Sequence, residues 1–108
     1  SQAIEYNGEV YVSGQIPVNP ESGAVEAETI EGQAEQSLKN VGAILKESGL
    51  TYENVLKTTC FIADMGDFAK FNEVYAKYFK EDAPARSFVA VKDLPKGVLC
   101  EVEVVAGK

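Results

Sequence analysis

The sequence predicts an α+β fold, a single mixed β-sheet with two helices packed on one of its faces. Three observations carry that prediction. Apolar residues recur at three- and four-residue spacing in two stretches of helical length, 29–48 and 67–79. The segments around them are short, β-branched and bounded by turn residues. Strands and helices also interleave along the chain, in the order β-β-(β)-α-β-α-β-β. With 108 residues the chain has room for one core, so a single domain over 1–108 is expected.

The first element is a β-hairpin. In "AIEYNGEVYVSGQIPV" the pair Asn7-Gly8 separates two strand-like runs and tolerates the positive φ angles of a type I′ turn. "NPESGAV" is a polar turn region, followed by a possible short third strand around Ala24 to Glu26. From Thr29 to Ser48 the residues Ile30, Ala34, Leu38, Val41 and Leu45 draw one stripe along a helix, with Thr29 as N-cap and Gly49 as the C′ stop. "VLKTTCFIA", Val55 to Ala63, is too short and too β-branched for a typical helix and reads as a well-buried strand ending at "DMGD".

Asp67 can cap a second helix, whose Phe68, Phe71, Val74, Tyr75, Tyr78 and Phe79 turn toward one face and read as core. Pro84 ends that region. "RSFVAV" is then a strand, "KDLPKG" a turn and "VLCEVEVVA" the final strand. In that last strand Leu99, Glu101, Glu103 and Val105 alternate with Cys100, Val102, Val104 and Ala106, so neither face is purely polar. With both helices on one side, the other side needs a cover, and the simplest one is another copy of the chain.

Composition excludes several classes of function. Ten basic residues against seventeen acidic ones give a formal charge of −7, which repels nucleic acid and anionic membrane surfaces. No histidine is present, which removes Ser-His and Cys-His nucleophile pairs and the usual imidazole metal sites, so no metal is expected and proton transfer falls to carboxylates. Cys60 and Cys100 form no C-x-x-C and read as buried reduced thiols. No run of 18 apolar residues occurs, and "SQAIEYNGEV" has neither a basic region nor an apolar block, so a soluble, cytoplasmic protein is expected.

Few residues remain that could carry chemistry. Arg86 is the only arginine, just after Pro84-Ala85 at the start of a strand. Its planar, permanently charged fork either clamps a small organic acid or pairs with one of the carboxylates at a subunit contact. Glu101 and Glu103 share one face of an otherwise apolar strand; burial there would raise a carboxyl pKa toward neutral pH and make one of them an acid/base group, whereas a solvent-facing edge would leave ordinary glutamates. Asn72, among the aromatic residues of the second helix, is either a hydrogen-bonding group in a site or a surface asparagine. Ser13-Gly14 offer a hydroxyl and a close backbone approach, or simply a turn that ends the strand.

Taken together, "SGQIP" at 13–17, "QAEQSLKNVGAILKESG" at 33–49, "VLKTTCFIADMGDFAKFNEVYAKYF" at 55–79, "PARS" at 84–87 and "LPKGVLCEVEVVA" at 94–106 resemble the RidA family, also called YjgF. The likeness covers essentially the whole chain, with the motifs in family order and spacing. It implies a chorismate-mutase-like α+β subunit assembled as a homotrimer with clefts between subunits, so that a second copy supplies the missing sheet cover. It also implies hydrolysis of reactive enamine and imine acids, such as 2-aminoacrylate and 2-aminocrotonate, to 2-keto acids and ammonia, without a cofactor.

Carried over by motif, Arg86 of "PARS" is similar to the arginine that binds the substrate carboxylate, and Glu101 of "LCEVEVVA" to the glutamate that positions water and handles protons. Ser13 and Asn72 match positions lining the same cleft, with Gly14 offering backbone to the ligand. Phe88 stands where many deaminating relatives have cysteine; the larger ring is expected to shift substrate preference while the backbone N–H there still meets the carboxylate. Relatives carry a short "GPY" segment before the point matching Ser1, so the tyrosine of that segment either precedes Ser1 or is missing from the site. The alternative from another class is a non-catalytic trimeric small-ligand-binding or chaperone-like protein. Ribonuclease activity, attributed to some relatives, conflicts with the charge of −7 and the lack of histidine.

Overall fold

The computed structural model describes residues 1–108. Strands β1 (Ala3–Tyr6), β2 (Glu9–Gln15), β3 (Val55–Ile62), β4 (Ala85–Ala90) and β5 (Cys100–Gly107) form one sheet in the order β1-β2-β5-β3-β4. Helices α1 (Ile30–Glu47) and α2 (Phe68–Tyr78) lie together on one face. Neighbouring strands are antiparallel except β3 and β4, which run parallel because α2 carries the chain back between them. The expected mixed sheet with two helices on one side is the observed architecture. No helix is long and apolar enough to cross a membrane.

Local chemistry explains the boundaries. Asn7 and Gly8 take φ angles of 52° and 80°, the two left-handed positions of a type I′ turn, and close the β1–β2 hairpin. Thr29 caps α1 by accepting from Gly32 N at 3.1 Å. At the other end Gly49, with φ 77°, and Leu50 donate to Lys46 O and Leu45 O, the paired bonds of a Schellman stop.

Two expectations need correction. Ala24 to Glu26 is not a strand. Asn19 N donates to Ala24 O at 2.9 Å, Gly23 N to Asn19 O at 2.8 Å, and the Asn19 amide to Glu26 Oε1 at 2.9 Å, so the loop satisfies itself locally and offers no ladder. Asp67 occupies the N-cap position of α2 but makes no side-chain cap. Asp64 does that work instead, accepting from Gly66 N at 2.9 Å in the 3₁₀ turn Met65–Asp67 that leads into the helix.

The core lies between the helices and one sheet face. Ile30, Ala34, Leu38, Val41 and Leu45 of α1, the whole predicted stripe, are buried against Val10, Val12, Cys60, Ile62, Cys100, Val102, Val104 and Ala106. On α2 only part of the aromatic stripe is core. Phe71, Val74, Tyr75 and the following Phe79 are buried, but Phe68 is 36% exposed, and Tyr78 is half-buried with its hydroxyl donating to Glu35 Oε1 at 2.6 Å. Both cysteines are free; burial pushes the Cys60 thiol up to about 11 and the Cys100 thiol up to about 12, which keeps them protonated and inert at neutral pH.

Tyr52, in the 3₁₀ turn Tyr52–Asn54, reaches over α1 and donates to Leu38 O at 2.6 Å. It crosses the helix at Gly42, where a Cβ would meet Tyr52 Cζ at 2.6 Å. The opposite sheet face carries Tyr11, Thr59, Phe61, Glu101, Glu103 and Val105, alternating with the core-facing residues. Neither helix covers it.

Candidate functional site

Arg86 enters β4 directly after Pro84-Ala85, in register with Thr58 of β3. Thr58 is fully buried beneath α2, so the shared register sends Arg86 to the helix side of the sheet. There its Nη1 donates to Asn72 Oδ1 at 2.8 Å. Its Cζ stands 4.6 Å from the Tyr75 ring centroid, 5.3 Å from that of Phe88 and 5.7 Å from that of Phe68.

Within the chain no carboxylate neutralises this cation. The one ion pair is Lys108 Nζ with Glu5 Oε1 at 2.8 Å, so Arg86 has no carboxylate partner in its own chain. A half-buried guanidinium held by an amide oxygen and aromatic faces keeps its charge and its other N–H donors for an incoming anion. The strand adds a further donor. Val91 N bonds inward to Ile62 O at 2.9 Å, so alternation turns the amides of Phe88 and Arg86 away from β3, toward the free edge of the sheet. The Phe88 N–H therefore lies on the edge that Arg86 occupies. The Phe88 side chain packs edge-on against Phe68 and Phe71, with centroids 4.7 and 5.2 Å away.

Glu101 belongs to a second group. It pairs with Phe61 across β5–β3 and points to the uncovered face. Between Val12 and Gln15 the β2–β5 register shifts, and the bulge at Ser13-Gly14 brings Gly14 beneath the Glu101 carboxyl. A Cβ on Gly14 would overlap Glu101 Oε2 and lie 2.8 Å from Cδ, so only glycine leaves the carboxyl this seat. Ser13-Gly14 is thus a bulge inside β2, not the strand-ending turn. The Ser13 hydroxyl donates to Ser1 O at 2.8 Å. Partial burial, and secondarily the charge of Glu103, raise the Glu101 pKa above the ordinary carboxylate range.

The predicted residues therefore gather into two sets. Arg86, Asn72 and Phe88 meet on the helix side at the β4 edge; Glu101 and Gly14 meet on the uncovered face over β5 and β2, with Ser13 beside Gly14 in the bulge. Two strand spacings, about 10 Å, and the thickness of the sheet separate them within one subunit. A cleft of about 820 Å³ lined by residues such as Tyr52, Lys77, Phe79 and Pro84 touches neither set. Another, about 450 Å³, reaches only Gly14 of them, together with Gln15, Asn40 and Ile44.

Sequence reasoning missed Tyr75 and Phe68, whose rings face the guanidinium, and Thr58, whose hydroxyl bonds the Tyr75 hydroxyl. The available signal was spacing, since Phe68, Asn72 and Tyr75 fall at i, i+4 and i+7 on one helix face. No group of three or more His, Cys, Asp or Glu is placed to hold a metal ion.

Comparisons with known proteins agree over the full length. The family model described as Endoribonuclease L-PSP matches residues 1–108. A Lactococcus lactis protein that carries the regulator name AldR is 51% identical over 100 residues, covering 93% of this chain and 79% of its own. The human 2-iminobutanoate/2-iminopropanoate deaminase is 45% identical over 106 residues, 98% of this chain and 77% of its own. Escherichia coli TdcF, solved with bound serine, matches with a TM-score of 0.94 at 43% identity over 99% of this chain and 86% of that one.

Proposed function

We propose that this chain, which belongs to the endoribonuclease L-PSP family (the RidA or YjgF family), hydrolyses reactive 2-enamine and 2-imine acids such as 2-aminoacrylate and 2-aminocrotonate to 2-keto acids and ammonia. The observation that carries this reading is Arg86, a half-buried guanidinium without a carboxylate partner in its own subunit. Relatives named as imine deaminases support it, as does a related structure that holds serine, an amino acid with the carboxylate the arginine would clamp.

Because the arginine and glutamate sets lie on opposite faces of one subunit, the working site is assembled between copies. The uncovered face of one subunit, with Glu101, Gly14 and Ser13, is covered by the β4 edge of its neighbour, with Arg86, Asn72 and Phe88. Closure as a homotrimer gives equivalent clefts and covers the apolar side chains of that face. Arg86 and the Phe88 amide hold the substrate carboxylate. Once the enamine has tautomerised to the imine, Glu101 accepts a proton from a water that attacks C2. Glu101 passes that proton to the nitrogen to give the carbinolamine, then takes the carbinolamine hydroxyl proton and delivers it to the amino group; the C–N bond breaks and ammonia leaves as the carbonyl forms. These steps need no cofactor, and proton transfer alone is worth roughly 10² to 10⁴ in rate, with positioning added to it.

A second reading, a trimer that holds such ligands or a partner chain without turnover, is favoured by Phe88, whose ring closes the space beside Arg86 with an apolar edge. Threonine dehydratase supplying the imine in a coupled assay separates the two. The enzyme reading expects faster 2-ketobutyrate formation, lost in Arg86→Ala with the trimer intact by size-exclusion chromatography. Binding of 2-ketobutyrate without acceleration favours the holder. RNA is a poor substrate for a surface of formal charge −7 without histidine, whatever the family description.

A further inference from the structure

We propose that Tyr75 and Thr58 are positioning residues for the Arg86 guanidinium. Tyr75 supplies the ring on which the guanidinium rests, and Thr58 the hydroxyl that fixes that ring. The inference rests on the reading of Arg86 as the carboxylate clamp.

An arginine at a free sheet edge has many rotamers, and a ligand that must freeze them binds less tightly. Here two directions are already fixed. Asn72 takes Nη1 at 2.8 Å, and the Tyr75 ring lies 4.6 Å from Cζ, the shortest of the three aromatic approaches. Both come from α2 at positions three apart, so one helix face delivers the amide oxygen and the ring together.

Behind the ring, Tyr75 OH and Thr58 Oγ1 are 2.8 Å apart, and Thr58 has no solvent exposure. Thr58 is also the register partner of Arg86 on the adjacent strand. The hydroxyl pair thus ties the far end of the ring to the level of the sheet from which the arginine leaves. Valine and phenylalanine would fill the same volume without any polar atom to satisfy. Beyond filling space, the polar pair sets the ring's tilt, and that tilt is felt by the guanidinium resting on it.

Arg86 is the sole arginine, so its side-chain Nε–H gives a single ¹⁵N-correlated NMR signal. Its proton is expected to be ring-current shifted in the parent protein and to return toward the free-arginine position in Tyr75→Leu. In the coupled assay Tyr75→Leu should raise KM roughly 3- to 30-fold with kcat changed less than about threefold, because a preset carboxylate clamp acts on the ground state and transition state alike. Tyr75→Phe and Thr58→Val should each raise KM by about two- to fivefold, and the double variant no more than either alone, since both break one unit.

Additive losses in the double variant, unchanged KM, or equal falls in kcat and kcat/KM overturn the positioning role. The Phe and Val variants decide the matter even where Tyr75→Leu does not fold. If Arg86→Ala is inactive while the Tyr75 and Thr58 variants behave as the parent, only this inference fails. If Arg86→Ala keeps full activity, the clamp itself fails.

Discussion

Arg86 and Glu101 sit on one sheet, yet the chain treats them differently. Around Arg86 it supplies an amide oxygen, three aromatic rings and, behind one ring, a buried hydroxyl pair. Around Glu101 it supplies mainly room: a glycine in a β-bulge, a second glutamate, and a face that neither helix covers. On the proposed reading the binding half is finished inside the subunit, and the proton-handling half is left for a neighbour to close. A group that must hold a fixed charge gains from bracing, whereas a group that must gain and lose a proton gains from partial burial without a strong partner.

The largest test of that contrast is Glu101→Gln, which keeps the shape over Gly14. It should lower kcat roughly 10² to 10⁴-fold while 2-ketobutyrate affinity stays within about threefold. A loss of affinity as deep as that of Arg86→Ala would make the two halves alike and break the comparison. Next in size, refolding Arg86→Ala and Glu101→Gln chains together should restore about one cleft in four to parent activity, because one cleft can then draw a sound half from each neighbour. No recovery in demonstrably mixed trimers would place both halves in one subunit.

The smallest effect is on pH. In the proposed mechanism the ionised Glu101 is the active form, and its pKa is raised, so the acid limb of kcat/KM should lie above the ordinary carboxylate range, and Glu103→Gln should move it part of the way down. Burial, the larger cause, would remain. The same shift has a sign for stability. Folded Glu101 holds its proton to higher pH than unfolded Glu101, so its contribution is fully present below the ordinary carboxylate range and is lost as pH rises through the raised value. Thermal melts of Glu101→Gln should therefore show a higher Tm than the parent at neutral pH and no gain in acid.

What could be read from the chain beforehand follows the range of the physics involved. Asn7-Gly8, Thr29, Gly49 and the α1 stripe act through near neighbours, and they stand where spacing placed them. Ala24 to Glu26 failed because strand character needs a partner, and the self-closing loop from Asn19 offers none. Asp67 failed because Asp64 had already turned the backbone. Arg86 and Glu101 stood out as residue types, but their opposite faces depend on the Thr58 and Phe61 registers, which no local pattern encodes. Tyr75 was hidden for another reason: an aromatic residue at helical spacing looks the same whether it meets the core or a guanidinium.

The crossing of Tyr52 over Gly42 bears on how far this protein can be hardened against heat. Replacing a mid-helix glycine with alanine is a standard first step, because it removes about 0.5 to 1 kcal/mol of backbone freedom from the unfolded chain. Here the added methyl would push against the Tyr52 ring and strain its bond to Leu38 O. Efforts at thermostabilisation gain more by leaving that position alone and treating the tyrosine and glycine as a single inherited fitting.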